Sequence, residues 1–397
     1  MSAGVGAGVG AVFDGVVGQR AAADQLAAAA AAAAAAVRGE PSPGMTHAWL
    51  FTGPPGSGRS VAARAFAAAL QCASGGCGQC ADCRTALAGT HGDIEIVRPE
   101  GLSIGVREAR ELVARAGGRA LRGRWRVVLL EDADRLTEGA ANVLLKMLEE
   151  PPPRTVWLMC VPATEDLPAT VRSRCRLVPL GIPTAADVAS VLIRRDGIDP
   201  AMAAFAARAA QGHVGRARHL AQDAEARRRR RDVLLTATAF GTVPGAIGAA
   251  EDLDKAAKEE ASAATGEVDA TETAAMRLAL GEASPGRRLP RGTAGALRDL
   301  EARQKSRGTR TRRDALDRAL LDLATLYRDV LIRQLGAEVE PVHADMAQEV
   351  ARLARAGTDP AVTLRRMEAV FAAREAIAGN VAPQLALEAM ALTVQTG

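Results

Sequence analysis

The sequence predicts an α/β core built on a mostly parallel sheet around a phosphate loop, then a small helical lid and a C-terminal all-α domain. Three observations predict it. Trp49-Leu-Phe-Thr52 runs into Gly53-Pro-Pro-Gly56-Ser-Gly58-Arg59-Ser60 and then into the helix-prone stretch Val61–Leu70. That order is strand, phosphate loop, helix: glycines let backbone N–H groups gather round an anion, and the helix points its positive end at the same place. Short apolar runs then alternate with helix-period runs up to Leu180, the pattern of strands joined by crossover helices. From Pro183 onward the apolar spacing is helical.

Taken in order, residues 1–12 read as a flexible leader. Phe13-Asp-Gly-Val-Val17-Gly18-Gln19 precedes an alanine-dominated helix to Val37. Its ten consecutive alanines, Ala27–Ala36, are read as helix filler, alanine being the best helix former. Further strands are expected at Asp93–Val97, Arg124–Leu130, Thr155–Val161 and Arg176–Leu180, and helices at Ser103–Gly117 and Thr137–Glu150, the latter stopped by Pro151-Pro-Pro153. The domains expected are a core over 1–182 and a helical lid over 183–241. Residues 242–310 are expected to be a low-complexity linker or insertion, being poor in large apolar groups, and 311–397 a helical bundle. Arg227–Arg231, five arginines in a row, read either as a phosphate contact or as a solvated helix end.

Charge and cysteines bound the chemistry. With 50 basic and 46 acidic residues in 397, the net charge of +4 is no nucleic-acid coat. No apolar run approaches the ~20 residues of a membrane span, so no membrane partner is expected. The N-terminal stretch lacks the basic residues of a signal peptide. Four of the six cysteines crowd into Cys72, Cys77, Cys80 and Cys83. Interlocked C-x₂-C spacing with glycines between suits a structural, four-ligand Zn²⁺ in a reducing cytoplasm, against the alternative of four free thiols. Cys72 falls at the end of the preceding helix, and His91 is the reserve ligand.

The phosphate loop departs from the usual G-x-x-x-x-G-K-[ST]: Ser60 fits the hydroxyl position, but Arg59 stands where the lysine should be. A forked guanidinium does not replace a compact ammonium by default. Downstream, the apolar strand ending in Glu131-Asp132 delivers carboxylates where an acid holds Mg²⁺ and its neighbour polarises water, although the usual order is Asp then Glu.

Together the phosphate loop, the four cysteines after it, Leu144-Leu-Lys-Met-Leu-Glu-Glu-Pro-Pro152 and Ser173-Arg174-Cys175 resemble the AAA+ subunits of the bacterial replicative clamp loader. The resemblance covers roughly residues 13–220. The C-terminal helices match that family's collar domain only in type and position, and Cys72 and Cys77 are closer together than its zinc module usually has them. It implies that Val17 and Gly18 lie near an adenine, that Arg174 is an arginine finger acting in a neighbouring subunit's ATP site, and that Arg216 is the lid arginine. Arg59, the Glu131-Asp132 order and the apolar Val161-Pro162 at the polar sensor position point to the family's delta-prime kind, whose own site is degenerate. ATP or ADP then binds without turnover, if at all. The implied partners are the gamma/tau and delta subunits and, through the complex, the sliding clamp and primed DNA in a cytoplasmic, nucleoid-associated replisome. The implied complex is the DNA-directed DNA polymerase holoenzyme, with polymerisation in another chain. Two other readings are an active gamma/tau-type ATPase subunit and a zinc-containing DNA-binding regulator.

Overall fold

Five apolar runs become five strands, and every one is parallel to its neighbours. The computed structural model describes residues 10–41, 44–99, 101–122, 124–281, 294–356 and 359–396. The chain divides into two units, Met1–Gln222 and Asp223–Gly397.

The first unit runs α1 (Arg20–Val37), β1 (Ala48–Thr52), α2 (Arg59–Gln71), α3 (Ala81–Ala88), β2 (Ile94–Val97), α4 (Val106–Ala116), β3 (Arg126–Leu130), α5 (Glu138–Glu149), β4 (Thr155–Val161), α6 (Ala169–Arg172), β5 (Arg176–Pro179), α7 (Ala185–Asp196), α8 (Pro200–Ala209) and α9 (Val214–Gln222). The sheet order is β2-β3-β4-β1-β5, so the strand that leads into the phosphate loop lies between two neighbours. Alternate residues of each strand feed two cores. Trp49, Phe51, Val127, Leu129, Val156 and Leu158 face α1 and α2, whereas Leu50, Val128, Leu130, Trp157 and Met159 face α4 and α5. Both sheet faces are covered, which is why the strands read as continuous apolar runs rather than alternating ones.

Three expectations change. The leader of residues 1–12 falls mostly outside the described residues, but Ala11–Gly15 is a 3-10 turn. Val12 is buried there and its N–H donates to the Gly76 carbonyl at 3.1 Å, so the segment packs on the cysteine loop. The alanine tract is more than filler: Leu26, Ala29, Ala30 and Ala33 form a fully buried stripe of α1, which packs along α2. Small side chains let two backbones approach closely. The third change concerns residues 242–310.

The second unit comprises α10 (Ala224–Thr236), α11 (Val243–Ala279), α12 (Ala294–Gln334), α13 (Ala347–Arg355), α14 (Pro360–Ala378) and α15 (Pro383–Thr396). So α10 falls here rather than with the lid, and most of the expected linker is helix. Ala246, Ala249, Ala250, Leu253, Ala257 and Ala261 recur every three or four residues and are buried. Scarcity of large apolar groups was the wrong measure: a stripe of small ones suffices where helices pack tightly. The core of the unit joins Leu253 to Leu316, Leu320, Leu323, Tyr327, Val370, Leu387 and Met390.

The arginine run is resolved one residue at a time. Arg230 is buried, with Nη2 2.6 Å from His343 Nδ1 and Nη1 donating to Asp345 at 3.4 Å. His343 Nε2 in turn lies 2.9 Å from Thr325 Oγ1. Arg228 and Arg229 pair with Glu225 at the surface.

Asp254 in α11 makes a pH-dependent contribution. Burial alone would raise its carboxyl, but hydrogen bonds from Lys258 and Arg312 outweigh that and hold it below its ordinary value. Lys258 Nζ lies 2.7 Å from Oδ2 and Arg312 Nε 3.1 Å from Oδ1. A depressed carboxylate contributes stability that is present above the unfolded value of about 3.9 and lost as pH falls through the folded value. Asp254→Asn is therefore expected to lower stability at neutral pH and to flatten its acid limb below about pH 4, read from urea unfolding at stepped pH.

Candidate functional site

β1 ends at Thr52 and the chain turns at once into the phosphate loop. Gly53 has φ of 152°, and a Cβ there would lie 2.2 Å from the Leu180 carbonyl oxygen, so only glycine fits. Its N–H donates to Pro162 O at 3.1 Å, tying the loop to the end of β4. Gly56 and Gly58 complete the bend, and α2 begins at Arg59 with Ser60 in its first turn. Ser57 is buried and its Oγ has no hydrogen-bond partner; Arg59 Nη1 is likewise buried and unpartnered. Two donors inside a ring of backbone N–H groups suit an anion.

β3 carries Glu131 to the same end of the sheet, but not as a free metal ligand. Arg64, one turn along α2 from Ser60, donates from Nη2 at 2.5 Å and from Nε at 3.1 Å to Glu131 Oε1. Arg98 Nε donates to Oε2 at 2.9 Å. The register explains the second contact. Val97 pairs with Leu130, which sets the next residues, Arg98 and Glu131, side by side. Asp132 adopts φ of 54° and opens the 3-10 turn Ala133–Arg135. Burial, and then the nearby Asp132 carboxylate, push the Asp134 carboxyl above its ordinary value. Cys160 on β4 lies within the field of Glu131, Arg59, Asp132 and Arg64; burial above all pushes its thiol up.

The other expected site residues gather around this end. A Cβ on Gly18 would lie 3.1 Å from Asp187 Oδ2 and 3.4 Å from Pro183, so Val17 and Gly18 sit at the start of the lid. Gln19 fixes them there: its Nε2 donates to Gly181 O at 2.5 Å and its Oε1 accepts the Gly181 N–H at 3.1 Å. His213 packs on the loop, its Cβ 3.1 Å from where a Gly56 Cβ would be, and its Nδ1 accepts the Arg216 N–H. Val161 at the sensor position is buried and apolar.

Arg174 is held elsewhere. It follows α6, donating from Nη1 to Thr170 O at 2.7 Å and from Nη2 to Glu149 Oε1 at 2.5 Å. The Leu-Leu-Lys-Met-Leu-Glu-Glu and Ser-Arg-Cys motifs are thus physically joined. Sequence reading missed Arg64, Arg98, His213 and Glu149. Arg64 carried a usable signal, as a base one helical turn beyond the phosphate-loop hydroxyl.

The four cysteine sulfurs of Cys72, Cys77, Cys80 and Cys83 all lie within 4.8 Å of one another. Cys72 is 3.7 Å from Cys77 and 3.8 Å from Cys80, sulfur to sulfur. A tetrahedron with Zn–S bonds of about 2.3 Å has edges of about 3.8 Å, so the set fits zinc. Backbone N–H groups of Ser74 and Cys77 point at Cys72 Sγ, that of Cys80 at Cys77 Sγ, and that of Cys83 at Cys80 Sγ. N–H groups of Gln79 and Cys80 draw the Cys77 thiol down to about 6. His91 is not in the group; its Nε2 faces Asp82 at 3.5 Å and its Nδ1 accepts the Asp93 N–H.

Residues 40–183 match the family model described as DNA polymerase III, delta subunit. Over that segment the chain belongs to the DNA polymerase III delta-subunit family. A delta-prime subunit from Pseudomonas aeruginosa is 39% identical over 163 residues, covering 40% of this chain and 50% of the relative. A gamma/tau subunit from Mycobacterium bovis is 35% identical over 140 residues, covering 34% of this chain and 24% of the relative. The chain thus spans about half the length of the delta-prime relative it matches. Among solved structures, a DNA polymerase III gamma subunit-related protein from Thermotoga maritima aligns with a TM-score of 0.35 at 14% identity, covering 87% of this chain and 99% of that one. The family match and the parallel sheet around the phosphate loop make this the expected AAA+ α/β core, with a largely helical C-terminal region after it. Among the described residues no helix is long and apolar enough to cross a membrane.

Proposed function

We propose that this chain is the delta-prime subunit of a bacterial clamp loader, a partner of gamma/tau and delta that helps place the sliding clamp on primed DNA. One observation carries the choice of delta-prime over a motor subunit. Both oxygens of Glu131, the acid at the end of β3, are taken by Arg64 and Arg98. A carboxylate so engaged does not hold the magnesium that phosphoryl transfer needs, nor does it orient water. Arg59 and the apolar Val161 act in the same direction. In this role the chain supplies Arg174 to a neighbour's ATP site. The cysteine set holds a structural zinc that stiffens the loop under the N-terminal segment.

The gamma/tau match at 35% identity keeps the motor reading as the competitor. The test is steady-state ATP hydrolysis by the purified full chain with Mg²⁺, for the natural sequence and for Arg59→Lys. Negligible turnover is expected in both, because a lysine at 59 leaves Glu131 bound to its two arginines. Robust turnover that disappears in Ser60→Ala would make the motor reading the better one. Co-elution with gamma/tau and delta on gel filtration is the matching test of assembly.

A further inference from the structure

The fold family implies magnesium beside the phosphate loop, and the residues present do not fit it. Glu131 has one guanidinium on each oxygen, and it lies near Arg59 as well. A divalent cation at this place would have to displace Arg64 or Arg98 and then sit beside the displaced positive charge. Like charges at such range disfavour one another strongly. The loop, in contrast, keeps what an anion needs. Ser57 Oγ and Arg59 Nη1 are buried donors without partners, set among Gly53, Gly56 and Gly58 at the start of α2. Ser57 is only 1% exposed, so its hydroxyl is not placed there for solvent.

We propose that the phosphate loop binds the polyphosphate of a nucleoside di- or triphosphate as the free anion, the arginines around Glu131 occupying the place of the metal. The proposal rests on the reading of this site as degenerate. Its consequence is an affinity that does not depend on magnesium, whereas a hydrolytic site of the same fold needs it. The base end of the ligand would meet Val17 and Gly18, held in place by the Gln19–Gly181 hydrogen bonds.

The experiment is isothermal titration of the purified full chain with ADP and, separately, with inorganic pyrophosphate, in EDTA and in excess Mg²⁺. ADP is expected to bind with the same Kd in both buffers to within about twofold, and pyrophosphate to compete with it. Arg64→Met frees one oxygen of Glu131 and is expected to make ADP binding at least about tenfold tighter with Mg²⁺ than without it. ADP binding by the natural chain that collapses in EDTA would overturn the proposal, as would no binding in either buffer. Neither result touches the delta-prime reading, which fails only if the chain hydrolyses ATP by itself or does not assemble. Should Arg64→Met not fold, the comparison of buffers on the natural chain decides alone.

Discussion

Arg174→Ala in a reconstituted loader is expected to cut clamp-stimulated ATP hydrolysis at the site it completes by about 10³-fold or more, the range of an arginine finger supplied in trans. Remaining turnover would come from sites completed by other subunits. The side chain is well placed for such a role. It is about one-third exposed and its ion pair with Glu149 is a surface one, worth at most about 1 kcal/mol. A neighbour's γ-phosphate, more highly charged than one carboxylate, can take the guanidinium over at small cost. Glu149→Gln should accordingly leave hydrolysis near the natural level, and both variants should keep their melting temperature within a few degrees. Unchanged hydrolysis in Arg174→Ala would remove the finger from the proposal and leave the arginine as a tie between α5 and the turn after α6.

Removing zinc should have the largest effect on stability. Structural zinc sites bind with roughly 10–16 kcal/mol of apparent free energy at neutral pH, and that energy is folding energy. Here the loop has little else to define it. Gly75, Gly76 and Gly78 all have positive φ, and the sulfurs are the only groups converging on its centre among the described residues. Metal analysis of the purified chain is expected to give one zinc per molecule, and Cys80→Ser or a strong chelator to lower the unfolding temperature markedly. The loss should spread beyond the loop, since Val12 and Phe13 pack with Cys72 and Cys83 in the core under α1 and α2. A chain that carries no metal, or that loses it without change in melting, would return the cysteines to ordinary thiols.

The sheet was legible because each strand is buried on both faces and so reads as an unbroken apolar run, as in Thr155–Val161. The phosphate loop was legible because its glycines are forced by backbone geometry. Cys72 was harder: spacing alone could not separate it from His91, and only the approach of the sulfurs does. The clamp on Glu131 was illegible, since it depends on the pairing of β2 with β3 and on the helical turn from Ser60 to Arg64 at once. Residues 242–310 misled because alanine, serine, threonine and glycine signal flexibility in isolation, while in α11 they form the side that packs. Arg230 shows the same limit. Nothing in five identical letters says which one is turned inward, because helix phase is fixed by the partner and not by the run itself.

The alanine stripe of α1 bears on how this gene can change. A run of identical small residues encoded in repetitive DNA is prone to gain or lose a codon during copying. In a solvent-facing tract such a change is silent. Here each added residue turns the rest of the helix by about 100°, carrying Ala33 from its buried place and bringing exposed positions against α2. Tract length is therefore under structural selection, despite a sequence that looks like slack.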